Sequence, residues 1–176
     1  DRVITAEDVA PFQLILGSVH LVDRWPFDDP AQRGRWDEVG ADLIWRRYFE
    51  VWCEAVSSDA PFHVMSHPDL AKKFGFPSFD PQPLYEQAAE ACAAAGRMVE
   101  VNTSGSYYAC KEMFPAPALL AAFCRAGVPC TVGTDAHVPA NVARDIEKAY
   151  RLMYEAGYRT VTVPTADGDR RAIAIE

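Results

Sequence analysis

Several ordinary features are scarce in this sequence, and each scarcity narrows its reading. Basic residues are outnumbered, 17 Lys+Arg against 25 Asp+Glu, for a formal net charge of −8. That sign argues against a nucleic-acid partner held through phosphate contacts. No apolar run reaches the roughly 18 residues that read as a membrane span, and Asp1 opens neither a secretory nor a transit signal. The five cysteines, Cys53, Cys92, Cys110, Cys124 and Cys130, are odd in number and contain no C-x-x-C pair. They suit neither a disulfide framework nor a zinc knuckle, so a reducing, cytoplasmic setting is expected. An initiating Met is absent too, and the expectation is of a processed or truncated piece.

What is present reads as a folded domain. The 176 residues are 49% hydrophobic and 24% charged, inside the globular range. A chain of this length buries roughly 70% of the surface that it exposes unfolded, enough for a core without staples. One domain over residues 1–176 is expected.

The hydrophobic pattern alternates between two periods. Short apolar runs at Gln13 to Val19, Phe62 to Met65, Met98 to Val101 and Cys130 to Val132 read as buried strands. Between them, helical spacing runs from Glu38 to Ser57, Pro83 to Ala95 and Ala116 to Ala126, and a further stretch runs from about Ala140 to Ala156. Gly96, Gly127 and Gly157 mark helix stops. Two last strands, Arg159 to Val163 and Arg171 to Ile175, flank an Ala166-Asp167-Gly168-Asp169 turn. Strand and helix repeated four times predicts an α/β fold with a parallel sheet.

Chemistry-bearing residues fall at one recurrent place. His20, His67, Asn102 and Asp135 each follow the carboxyl end of a predicted strand, the edge where parallel sheets build active sites. There are only four histidines. His63 lies inside a strand and reads as a sheet histidine, whereas His20, His67 and His137 converge on one rim. A lone histidine there is adequately explained by a structural hydrogen bond; three with Asp135 favour a centre for Zn, Mn or Fe. The tight segment Gly133-Thr134-Asp135-Ala136-His137 projects a carboxylate and an imidazole toward one cavity, its plain alternative being a turn in which Asp135 caps the next helix. Asp69, Lys72 and Lys73 follow His67, and a lysine there could draw a phosphate as a point charge; a solvated charged face explains them equally. Asp23, in the acidic and aromatic segment after His20, would suit a substrate carrying an ammonium group. Trp36, Trp45 and Trp52 read as packing, with a subunit contact as the alternative.

Gly17-Ser18-Val19-His20-Leu21-Val22-Asp23, His67-Pro68-Asp69-Leu70-Ala71-Lys72-Lys73-Phe74, Glu100-Val101-Asn102-Thr103-Ser104-Gly105 and Gly133-Thr134-Asp135-Ala136-His137 resemble, in order, motifs of the PHP (polymerase and histidinol phosphatase) superfamily, nearest its histidinol-phosphate phosphatase branch. The resemblance runs from about Phe12 to the carboxyl terminus. It implies part of a distorted (β/α)7 barrel, parallel strands with outer helices, and a multinuclear metal site hydrolysing a small phosphorylated metabolite in histidine biosynthesis. By position, His20 and His67 would bind one metal, Asp135 a second and His137 a third. Asp23, Lys73, Asn102 and Lys111 would face the substrate. Such a centre lowers the pKa of a water and neutralises the leaving group, so no protein nucleophile is needed. The family's opening H-x-H and its bridging glutamate do not occur here, and Ser106-Tyr107-Tyr108 stands where relatives carry an arginine; Lys111 is a candidate substitute, though a solvated surface lysine explains it more readily. Two other readings remain open: an amidohydrolase-like metal hydrolase, or a non-catalytic partial barrel. A chain lacking its first strands would expose an apolar edge, so dimerisation to a homo-oligomer or aggregation is expected.

Overall fold

The computed structural model describes residues 4–78, 80–165, 167 and 169–176. Helices and strands alternate as α1 (Ala6–Val9), β1 (Leu16–Gly17), α2 (Gly34–Val39), α3 (Ala41–Val56), β2 (Val64–Met65), α4 (Gln82–Ala94), β3 (Met98–Asn102), α5 (Pro117–Arg125), β4 (Cys130–Gly133), α6 (Ile146–Ala156), β5 (Thr160–Pro164) and β6 (Arg170–Ala174). The first four strands form one parallel sheet in the order β1-β2-β3-β4. Parallel neighbours need a crossover between them, which α2 with α3, α4 and α5 supply. β5 and β6 pair antiparallel; of the turn expected between them, Ala166 and Gly168 lie outside the described residues.

Burial explains which predicted elements are firm. All five residues of β3 are buried, as a near-continuous apolar strand covered on both faces must be. In α3, Ile44, Trp45, Tyr48, Phe49, Trp52 and Val56 turn inward at helical spacing. Trp36 and Trp52 are fully enclosed and Trp45 nearly so, which removes the alternative of a subunit contact. The Trp36 and Trp45 ring N–H groups donate to the carbonyls of Phe27 and Phe76 at 2.8 and 3.0 Å. Deleting a buried ring of this kind costs about 3–5 kcal/mol.

Three elements differ from the pattern in the sequence. β1 pairs over two residues only and stands at the sheet edge with Leu16 half exposed. The helix expected from Glu38 is broken at Gly40, whose φ of 90° ends α2 and begins α3. The helix expected from Ala140 starts at Ile146, since Ala143 and Asp145 are left-handed at φ 61° and 60°. Tertiary bonds hold that segment: the Thr103 hydroxyl donates to the Arg144 carbonyl at 2.8 Å, and the Tyr107 hydroxyl donates to the Asp145 carboxylate. Asp135 therefore caps no helix.

The end of the sheet near the strand starts is tied by side chains. The His63 Nδ1 accepts from the Ile15 N–H at 3.1 Å, the sheet role expected for it. Arg97 donates to the carbonyls of Ser58 (2.7 Å), Ala60 (3.0 Å) and Phe62, and its guanidinium lies 4.2 Å from the centroid of the Phe62 ring. Among the described residues no helix is long and apolar enough to cross a membrane.

Candidate metal and phosphate cleft

At the opposite end, where the strands finish, an open cleft of about 430 Å³ is lined by residues including His20, Asp28, His67, Lys73, Glu100, Asn102, Tyr108, Asp135 and His137. The fold brings together here all four predicted ligands, together with Lys73 and Asn102. His20, His67, Asp135 and His137 each follow a strand within a few residues and Asn102 ends β3, so the register of the parallel sheet sets their common level.

His67 sits deepest. It is buried, at φ 30°, and its ring meets that of His20 edge-on at 5.0 Å between centroids. Burial, with His20 beside it, lowers the His67 pKa to about 4, against opposing pulls from Asp135 and Asp28. The imidazole is thus neutral at pH 7 and keeps a lone pair to donate. Among the described residues its buried Nδ1 has no hydrogen-bond partner, a condition native structures rarely leave unexplained.

The other two histidines have one ring nitrogen occupied. His20 Nδ1 lies 3.2 Å from Asp28 Oδ2, and His137 Nδ1 lies 2.8 Å from the Asp135 carbonyl. When Nδ1–H donates to such an acceptor, Nε2 carries the free lone pair, the arrangement by which outer carboxylates and carbonyls orient ligating histidines. Asp28 also receives the Lys73 ammonium at 3.1 Å on the same oxygen, and Lys73 donates to the Asp28 carbonyl at 2.7 Å. Partial burial alone would raise the Asp28 carboxyl, but bonds from His20 and Lys73 outweigh it and hold it below the usual range.

Glu100 comes from the middle of β3. Its Oε2 accepts from the His67 backbone N–H at 3.2 Å and from Asn102 Nδ2 at 3.0 Å. Burial is the main influence and raises its pKa, with a smaller push from Asp135; the two bonds only partly offset this. Asn102 Oδ1 accepts from the Ser104 N–H at 3.0 Å. Each end of the Asn102 amide thus has one protein partner, which fixes its orientation in the cleft wall.

Two expected substrate residues are elsewhere. Asp23 forms a two-pronged pair with Arg47 at 2.9–3.1 Å on the exposed surface, and neither it nor Lys111 is among the cleft-lining residues. Lys72 is no solvated charge: it is buried against Asp69 at 3.0 Å, Glu112 at 2.6 Å and the Met113 carbonyl at 2.8 Å. Conversely, Asp28 and Glu100 were not singled out in the sequence. A carboxylate inside the apolar run Met98-Val99-Glu100-Val101 is the signal that points to Glu100.

The donor chemistry suits a divalent ion, with neutral imidazoles and carboxylates on one rim and an unpartnered buried histidine nitrogen among them. Among the described residues, however, no three His, Cys, Asp or Glu side chains stand close enough to enclose an ion.

No family model matches the chain. Its fold is similar to that of a metal-bound phosphatase. The crystal structure of histidinol phosphate phosphatase from Lactococcus lactis subsp. lactis Il1403, complexed with Zn, L-histidinol and phosphate, superposes with a TM-score of 0.74 over 90% of this chain and 62% of that one, at 23% identity. In sequence, the chain is 34% identical over 149 residues to a Deinococcus radiodurans protein named probable histidinol-phosphatase, covering 84% of this chain and 56% of the relative. The chain thus spans about half the length of that relative.

Proposed function

We propose that the cleft hydrolyses a phosphomonoester of the L-histidinol phosphate type with the help of divalent metal, and that the four-stranded sheet is a portion of a distorted (β/α)7 barrel of the PHP kind. The observation that carries this reading is the meeting of His20, His67, Asp135 and His137 with a single cation, Lys73, in one cleft at the strand ends. The named activity of the Deinococcus relative supports it.

The roles divide by chemistry. His20 through Nε2, His67, Asp135 and His137 would hold Zn, Mn or Fe, which when bound would neutralise phosphate charge and lower the pKa of a water so that it gives up a proton and becomes a nucleophile toward phosphorus. Lys73 is nearly buried beside Tyr108, with its ammonium 4.9 Å from that ring's centroid, and offers a fixed positive charge to the phosphate. Asp28 keeps that ammonium and the His20 ring in place.

Phosphate release from L-histidinol phosphate, with Zn, Mn or Fe(II) added in turn, tests the proposal. Active chain is expected, with His67→Ala and Asp135→Ala each at least 100-fold slower while circular dichroism stays unchanged. A chain that releases no phosphate with any of the three metals, or a variant that turns over like the parent, overturns it. The metal-to-chain ratio of purified protein gives a second readout.

A further inference from the structure

Glu100 is the group in the cleft that the roles above leave unused, and its surroundings are built around it. On β3 it shares the inner face with Asn102, while Val99 and Val101 are wholly enclosed in the core. Its Oε2 is spent on the His67 N–H and the Asn102 amide. Its other oxygen lies against β4: a Cβ built on Gly133 would stand 1.9 Å from Oε1 and 2.9 Å from the carboxyl carbon. Gly133, paired with Asn102 across the sheet, therefore leaves a space that this carboxylate fills. Both segments touching it carry left-handed residues, His67 at φ 30° and Asp135 at φ 49°, conformations that persist only where surroundings over-determine them.

We propose that Glu100 is a positioning residue: one carboxylate, bonded to the His67 backbone and seated on Gly133, holds the His67 corner and the Asp135 turn in register with each other. It acts through its neighbours. The inference rests on the reading of His67 and Asp135 as metal ligands only for its consequence, since the geometry itself belongs to the metal-free chain.

Two measurements test it on the whole chain: zinc affinity by competition with a chromophoric chelator, and the backbone amide spectrum of the metal-free protein. Glu100→Ala is expected to weaken zinc binding about 10–100-fold, the usual effect of losing an outer partner of a metal site, and to shift the amide signals of both His67 and Asp135. Glu100→Gln, which keeps an oxygen acceptor, should bind zinc within a few-fold of the parent. Gly133→Ala should reproduce the Glu100→Ala loss with Glu100 still present, and carries the test if Glu100→Ala fails to fold. Parental zinc affinity in Glu100→Ala or Gly133→Ala, or loss in Glu100→Gln as deep as in Glu100→Ala, overturns the proposal. A parent chain that takes up no zinc overturns the metal reading alone; the amide signals then decide, and signals at His67 and Asp135 unmoved by Glu100→Ala overturn the positioning role.

Discussion

His67 concentrates the site's physical costs in one side chain. Its backbone is left-handed, its ring is buried against His20, and one ring nitrogen is unpaired. In the unfolded chain this imidazole takes up a proton near pH 6.5, whereas in the folded chain burial delays uptake to about pH 4. Between those values the unfolded state binds more protons, so stability of the metal-free chain falls as pH drops through 6.5 toward 4. The difference amounts to about 3 kcal/mol. Urea midpoints of metal-free protein at pH 7 and 4.5 check this: His67→Gln should lose less stability over that interval than the parent. Equal losses in the two proteins would show that the His67 ring is not held neutral. Lys73 and Asp28 form the complementary pair, in which each charge is stabilised by the other and neither is spent on solvent.

At the scale of elements, the sequence was most legible where burial follows a simple period. The run at β3, the stripe on α3 and the stops at Gly96, Gly127 and Gly157 needed nothing beyond local pattern, and the four predicted ligands reached one rim because parallel strands end together. Features set by distant partners were not legible. The late start of α6 depends on Thr103 and Tyr107 holding the segment before it, and the place of Glu100 makes sense only with Gly133 opposite. Asp23 reads as a rim acid until Arg47, on α3, is seen to claim it. The junction of α2 and α3 carries a prediction of its own. Gly40 has φ 90° and ψ 134°, and an added Cβ would meet nothing within 4 Å. Gly40→Ala should therefore cost about 1–3 kcal/mol from backbone strain alone, read as a lower urea midpoint. An unchanged midpoint would mean that the junction relaxes into one continuous helix.

At the scale of the whole molecule, the four-stranded sheet leaves one edge uncovered. Among the described residues β1 has no strand on its far side, and Phe12, Leu16 and Leu21 are exposed on the segment that runs through it. Unpaired strand edges of apolar character recruit other chains. Sedimentation should show concentration-dependent self-association, reduced by Leu16→Lys combined with Leu21→Lys; a monodisperse monomer across the same range would remove the edge as its cause. The loop at the strand starts, opposite the cleft, is organised in the opposite sense. Arg97 gathers the carbonyls of Ser58, Ala60 and Phe62 with a single guanidinium, so the path of that loop is dictated by a residue outside it. Its exposed tip at Asp59 contributes little beyond chain length, which makes it a place where a fluorophore or an affinity handle can be attached without reaching the chemistry at the far rim.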